Sequence, residues 1–229
     1  MDGTVATRVM LAAHGLGPGD ALALGLEQQG AKVARLGACG ASRADWQAAV
    51  DAAVRDLGDL DLVVHGTALP ASQPADLDSL SLADWQQATS GALFETLCCL
   101  QAALPHLRER GGTIVVLGPS AALVGAPGLV PWITLAEAQR TLVKAAARQW
   151  GVHSIRLHWL GLGSALYGDA LRDARIPAVP ELGPPPPALG RVPDAHADAA
   201  ALVALLAGRG AASLTGATLN LDGGDWMVP

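Results

Sequence analysis

The chain has 229 residues, of which 51% are hydrophobic and 16% are charged. This composition excludes a disordered chain and is sufficient for one large α/β domain with its own core. The formal net charge is −6, and no run of like charges occurs. Nucleic acid and anionic membrane surfaces are therefore not expected as partners.

The cysteines and the N-terminus indicate the compartment. Three cysteines, two of them adjacent, form no disulfide framework and are typical of a reducing environment. The first residues lack the basic and apolar pattern of a signal peptide, and no window is apolar enough to predict a membrane span. We expect a cytoplasmic protein.

Short apolar runs alternate with longer helical patterns along the chain, which predicts βαβ units and a mainly parallel sheet. The predicted strands cover residues 8–12, 32–36, 60–64, 112–117, 153–160 and 217–221. The predicted helices are one that ends at residue 29, followed by 43–57, 82–107, 132–151 and 194–208. Ser81 and Asp194 are the expected N-caps of the third and last helices. All these elements form one predicted domain over residues 1–229.

Residues 161–191 are rich in glycine and proline and include four consecutive prolines, 184–187. Each proline lacks a backbone donor and has a fixed φ, so this run forms neither a helix nor a central strand. The sequence predicts a surface loop here. It is either a lid over the carboxyl ends of the strands or a simple connection.

Several stretches in a fixed order resemble the short-chain dehydrogenase/reductase family, and the resemblance covers nearly the whole chain. The string LTGATLNLDGG at residues 214–224 is similar to the C-terminal pattern of that family. The other similar stretches are residues 84–85, 102–107, 111–117, 123–128 and 189–191. The resemblance implies a Rossmann-like, doubly wound parallel sheet and an NAD(P)-dependent oxidoreductase. After the second strand, this chain is shorter than the family pattern by about one strand and one helix.

The residues at the catalytic positions depart from the family pattern. Members of the family use an Asn, a Ser, a Tyr and a Lys, and the Tyr exchanges a proton with the substrate oxygen. In this chain those positions fall on Ala92, Pro119, Trp132 and Ala136, and Ser120 lies one residue beyond the Ser position. None of the four side chains exchanges a proton near neutral pH.

This loss does not depend on the alignment register. The only tyrosine is Tyr167, and the only lysines are Lys32 and Lys144, so the chain contains no Tyr-x-x-x-Lys motif. The sequence therefore predicts no catalytic residue of the family type.

The phosphate-binding turn is also altered. Gly17 and Gly19 remain from the family's glycine motif, and Gly15 lies in the same remnant turn. Ala13 replaces the first glycine of the motif, and Pro18 removes a backbone donor. The interval between the second and third strands leaves room for only one helix. The strand that helps to form the adenine pocket in the family is therefore missing. We expect no cofactor in this chain, and NAD(P) is implied by the resemblance alone.

Other polar residues offer an alternative. His14, His65, Ser120 and Glu137 are candidates for a rewired, non-redox site. His158 stands where the family has a structural Asn. The histidines follow no metal-ligand spacing, so we predict no metal site, and single histidines in strands are more often structural. Trp132 would either stack on a ligand or fill the vacated cleft.

The features that serve assembly in the family are retained. Helices 82–107 and 132–151 carry Ala/Leu faces, and in the family these helices pair across a two-fold axis. The residues that we expect on these faces are Leu93, Leu97, Leu100, Leu104, Leu142, Ala145 and Ala146. The strand and tail at 217–229 would form a second interface. Cys98 and Cys99 are expected to pack in the core on the first of the two helices.

The leading hypothesis is a catalytically inactive homologue that forms a homo- or hetero-oligomer with an active paralogue, as a structural or regulatory subunit. It is similar in this respect to the inactive subunit of the heteromeric hydroxybenzylsuccinyl-CoA dehydrogenase. One alternative is an enzyme with a rewired site, either non-redox or an atypical NAD(P)-dependent oxidoreductase. A third is a small-molecule-binding module.

Overall fold

A computed structural model describes residues 6–40, 42–67, 76–167 and 187–227. Six parallel strands form one sheet in the order β2-β1-β3-β4-β5-β6. The strands are β1 (Arg8–Ala12), β2 (Lys32–Arg35), β3 (Leu62–Gly66), β4 (Gly112–Pro119), β5 (Ile155–Leu162) and β6 (Ala217–Leu221). The predicted doubly wound parallel sheet is confirmed.

Helices cover both faces of the sheet. They are α1 (Gly19–Gln28), α2 (Arg43–Leu57), α3 (Leu82–Gln86), α4 (Ala92–Leu107), α5 (Val130–Trp150) and α6 (Ala200–Ala207). One core cluster joins the sheet to α2, α4 and α5, and the other joins it mainly to α1 and α6. Alternate residues of β1 enter opposite clusters, because successive side chains of a strand point to opposite faces. Cys98 and Cys99 are buried in the first cluster, as predicted.

Local signals set the ends of the elements. The side chain of Ser42 accepts a hydrogen bond from the backbone N–H of Asp45, and the Asp45 carboxylate accepts one from the backbone N–H of Ser42. This capping box starts α2. Gly58 ends the helix in the left-handed region at φ 85°, a conformation that glycine adopts without steric cost.

One helix, α2, connects β2 to β3, and β2 is the edge strand of the described sheet. The chain leaves β1 toward β2, then crosses back to place β3 on the other side of β1. This reversal opens a crevice at the carboxyl ends of β1 and β3. The shortening predicted after the second strand is therefore present in the fold.

Several predicted boundaries are wrong. The helix predicted over 82–107 is divided by a five-residue π-helical turn, Gln87–Gly91, and the last helix begins with a similar turn, Ala195–Ala199. β3 lies two residues later than predicted. β5 begins after Ser154, whose φ of 57° is left-handed, so His153 lies in the preceding 3-10 turn rather than in the strand.

The predicted loop at 161–191 is shorter than expected at its start. Residues 161 and 162 continue β5, because they pair with residues 220 and 221 of β6. A short 3-10 turn, Ser164–Tyr167, follows the strand. Three of the four prolines, 184–186, and the middle of the predicted lid lie outside the described residues, while Pro187 begins the last described range.

The close approach of α1 and α6 gives a test of this packing. A Cβ atom on Gly25 would lie 1.9 Å from the His196 carbonyl oxygen and 2.7 Å from the Ala200 Cβ atom. We expect Gly25→Ala to lower the free energy of unfolding by about 1–3 kcal/mol in urea denaturation, because it overpacks the contact.

Gly91→Ala is the matched control. Gly91 has helical dihedral angles, and its added Cβ would meet only the Gln86 carbonyl oxygen, at 3.7 Å. This variant should raise the free energy of unfolding by up to about 1 kcal/mol through helix propensity. Equal effects of the two substitutions would contradict the described contact.

Candidate functional site

The turn after β1 is tight and leads directly into α1. The Leu16 N–H donates to the Ala13 carbonyl at 3.1 Å, and the Gly19 N–H donates to the Leu16 carbonyl at 2.9 Å. Gly15 has a φ of 72°. A Cβ atom on Gly19 would lie 2.8 Å from the Ala13 oxygen, so only glycine fits there.

The start of α1 presents few donors to an anion. Pro18 is the N-cap residue and has no N–H, while the N–H of Gly19 is already bonded within the turn. Asp20 adds a carboxylate in the first turn of the helix. A phosphate at this helix end would meet a like charge as well as the helix dipole.

Trp132 lies in the core rather than at an open cleft. It contacts Tyr167 edge-to-face, with ring centroids 5.1 Å apart and an interplanar angle of 82°. The two residues are only 4% and 5% exposed. They share an apolar cluster with Leu16, Leu135 and Leu162. Of the two roles predicted for Trp132, the structure favours filling of the vacated cleft.

Tyr167 occupies space beside the glycine turn. A Cβ atom on Gly17 would lie 3.3 Å from the Leu166 oxygen and 3.6 Å from the Tyr167 Cα atom. The phenolic oxygen of Tyr167 has no hydrogen-bond partner among the described residues, and burial raises its pKa well above the usual range. A phenol in this state keeps its proton near neutral pH.

The remaining vacated positions are mostly enclosed. Ala136 and Pro119 are buried and Ala92 is half-buried. Ser120 is fully buried, and its hydroxyl has no partner within the described part of the chain. Glu137 accepts hydrogen bonds from the Arg140 guanidinium, with Nε 3.0 Å from each carboxylate oxygen. Ser120 is therefore closed off from solvent, and the Glu137 carboxylate is already paired with a cation.

The structure brings two of the candidate histidines together. His14, which is exposed, and His65, which is buried, line one cavity of about 190 Å³ at the carboxyl ends of β1, β2 and β3. His158 lies elsewhere, within β5, and neither ring nitrogen has a partner among the described residues. Burial, helped by the charge of Arg156, lowers the pKa of His158 to about 4. His158 is therefore a neutral core residue at physiological pH.

A buried polar network beside the cavity was not predicted from the sequence. The Thr96 hydroxyl lies 3.0 Å from His65 Nε2, and Gln139 Nε2 donates to the hydroxyls of Thr96 and Thr67 at 2.8 Å each. These bonds tie β3 to α4 and α5. Burial lowers the pKa of His65 to about 4. The only sequence feature that could have predicted this network is that Thr96 and Gln139 stand on otherwise apolar faces of their helices.

Further residues that were not predicted from the sequence line this cavity. They include Glu95 of α4 and Cys39, which follows β2. Trp46 of α2 contacts His65 edge-to-face, with the ring centroids 5.8 Å apart. They come from separate elements with no shared motif. No three His, Cys, Asp or Glu side chains among the described residues are grouped so that they could hold a metal ion.

No helix in the described ranges has both the length and the apolar character needed to cross a bilayer.

Comparison with solved structures identifies the same architecture. A 3-ketoacyl-(acyl-carrier-protein) reductase from Brucella melitensis, complexed with NADH, superposes with a TM-score of 0.81 over 96% of this chain and 98% of its own, at 20% identity. A dehydrogenase/reductase from Sinorhizobium meliloti gives a TM-score of 0.77 at 23% identity, over 97% of this chain and 96% of its own. At these identities, the likeness concerns the fold alone.

Sequence comparison identifies relatives. A probable short-chain type dehydrogenase/reductase of Bradyrhizobium diazoefficiens is 30% identical over 76% of this chain and 62% of its own length. The D-threitol dehydrogenase of Mycolicibacterium smegmatis is 30% identical over 80% of this chain and 70% of its own. The chain thus spans about two thirds of the curated relatives that it matches. Residues 26–225 match the family described as enoyl-(acyl carrier protein) reductase, one of the short-chain dehydrogenase groups. The chain belongs to the short-chain dehydrogenase/reductase family.

Proposed function

We propose that this chain is a catalytically inactive member of its family that acts as a structural or regulatory subunit beside an active paralogue. The observation that carries the proposal is the buried Trp132–Tyr167 contact, which occupies the catalytic end of the cleft with two packed rings. The activities of the named relatives are theirs, and this chain has departed from them at the reacting positions.

Redox chemistry at a carbonyl requires a group that exchanges a proton with the substrate oxygen. The indole of Trp132 has no such proton, and the alanines at positions 92 and 136 have no polar side chain at all. The buried phenol of Tyr167 holds its proton more tightly than a free tyrosine. The described side chains at these positions therefore supply no general acid.

The residues present do not fit a nicotinamide dinucleotide. At the start of α1, Pro18 and Asp20 remove a donor and add a negative charge. Beside the turn, Leu166 and Tyr167 stand against Gly17. A pyrophosphate would lose donors at one end of the site, and a nicotinamide would compete with core side chains at the other.

Apolar side chains on the outer side of α4 and α5 support a role in assembly. Phe94 is 45% exposed, and Leu97, Leu104 and Leu142 are half-buried. In the family, the corresponding helices pair across a two-fold axis. Such partly exposed apolar residues gain stability when a second subunit covers them.

For two residues, the interface position predicted from the sequence is wrong. Leu100 and Ala146 are buried in the core of this chain, so they are not available to a partner. They face inward because Leu100 lies beside the buried cysteines of α4 and Ala146 packs with Val143 in the same cluster. The α4–α5 surface is therefore narrower than a simple count of Ala and Leu predicts.

The first prediction from this proposal concerns the cofactor. Titration of the chain with NADH or NADPH should give no dissociation constant at or below about 10 μM, because donors and space are missing. Isothermal calorimetry measures this directly, with an active paralogue as the positive control. Tight binding of either nucleotide would contradict the fit described above.

The second prediction concerns rescue. The double variant Trp132→Tyr with Ala136→Lys should not oxidise NADPH with a ketone substrate in an absorbance assay. The Ser and Asn positions would still lack their groups, and catalytic groups that act as a unit are strongly non-additive. Measurable turnover by this variant would show that the remaining site is intact.

The third prediction concerns assembly. Light scattering should report a dimer or larger species for the wild type, alone or co-expressed with a paralogue that has the Tyr-x-x-x-Lys motif. Leu97→Glu should shift it to a smaller species, because an unpaired charge in a buried contact costs several kcal/mol. Leu24→Glu, at an exposed position on α1, is the matched control and should not change the mass. A wild type that is monomeric under both conditions would refute the subunit role.

A further inference from the structure

The cavity shared by His14 and His65 is separate from the filled catalytic end. Its walls come from the carboxyl ends of β1, β2 and β3, from α2 and from α4. Its volume of about 190 Å³ is several times the space of one water molecule, about 30 Å³. A small organic molecule therefore fits where no core side chain has closed the space. The described lining residues are Ala12, His14, Gly37, Ala38, Cys39, Trp46, His65, Gly66, Thr67 and Glu95.

The charge of this cavity is negative. Glu95 lines the cavity, and burial raises the pKa of its carboxyl group. This carboxyl group has no cationic partner among the described residues. Cys39 also lines the cavity. Burial raises the pKa of its thiol, and the nearby carboxylates of Glu95 and Asp45 raise it further. No lysine or arginine occurs among the described lining residues. The cavity favours a cation over an anion.

The hydrogen bonds of His65 indicate what the ligand must offer. The Thr96 hydroxyl has one proton, which it donates to the Ala92 carbonyl at 3.2 Å. Its lone pairs then accept from Gln139 Nε2 and from His65 Nε2. With the Thr96 proton on the Ala92 carbonyl, the imidazole proton lies on Nε2 and Nδ1 is an acceptor; the opposite tautomer would make Nδ1 a donor toward the Ala12 backbone, and the NMR experiment below distinguishes the two.

Nδ1 is an acceptor without a donor. His65 is 2% exposed, and Nδ1 has no hydrogen-bond partner among the described residues. The Ala12 carbonyl, which also lines the cavity, faces the same ring and favours its protonated form. Two acceptors side by side call for a donor between them, since an unsatisfied buried acceptor is costly.

We propose that this cavity binds a small organic ammonium ion, with Glu95 pairing with its charge and His65 Nδ1 and the Ala12 carbonyl accepting its N–H donors. The indole of Trp46 forms the apolar wall for the rest of the ligand. A nucleotide does not meet these requirements, because its phosphates would add negative charge. The site is independent of the proposed subunit role, since neither Glu95 nor His65 belongs to the apolar interface residues.

The test uses the full chain and three probes of similar size: benzylammonium, benzyl alcohol and benzoate. Calorimetry should show the tightest binding for benzylammonium, with a dissociation constant below about 1 mM, and none for benzoate. In ¹⁵N NMR spectra, the Nδ1 signal of His65 should move from that of a free lone pair to that of a hydrogen-bonded acceptor when benzylammonium is added.

Glu95→Gln should weaken benzylammonium binding at least about tenfold, because it removes the charge from the pair. Glu109→Gln removes a carboxylate from an exposed position just after α4 and is the matched control; it should leave the affinity unchanged. Equal binding of benzoate, an unchanged affinity in Glu95→Gln, or no binding of benzylammonium up to about 10 mM would each overturn the proposal. These binding measurements do not depend on the oligomeric state of the chain. Failure of the subunit role would therefore not produce any of these results.

Discussion

The edge-to-face contact between Trp132 and Tyr167 closes one half of the carboxyl edge of the sheet with apolar rings. A contact of this geometry contributes about 0.5–1.5 kcal/mol beyond the burial of the rings, and both rings are almost fully enclosed. The start of α5 and the turn after β5 are thereby joined across the end of the sheet, against the glycine turn of β1. A region that holds a reactive cleft in a redox enzyme is here part of the apolar core.

The other half of the same edge is polar and encloses a cavity. Where the chain reverses direction between β2 and β3, a polar network lies beside the cavity that Glu95 lines. Buried polar groups are costly unless they are satisfied, so a network of four side chains across three elements restricts how β3, α4 and α5 pack. One half of this edge is therefore closed by packed rings, and the other half keeps a cavity beside a buried histidine whose Nδ1 has no partner among the described residues.

Membership of a catalytic family does not by itself assign the family's reaction to this chain. The sheet, its strand order and its two helical layers depend on many apolar residues, each of which tolerates exchange for another of similar size. The family's reaction depends on a few side chains at fixed positions, and on the proposal above the exchange of Tyr for Trp132 and of Lys for Ala136 removes it while keeping those positions apolar and buried. The fold persists through such changes because they are compatible with its core.

The sequence by itself determined the parallel sheet, the single helix between β2 and β3 and the absence of a Tyr-x-x-x-Lys pair, since these follow from local periodicity, chain length and residue identity. Only the tertiary structure decided that Trp132 faces inward, that Leu100 and Ala146 are unavailable to a partner, and that His14, His65 and Glu95 share a cavity. These relations join side chains that are far apart in the chain. Their contacts depend on how α4 and α5 are rotated over the sheet, and the packing of both core clusters together sets that rotation, which no local pattern encodes.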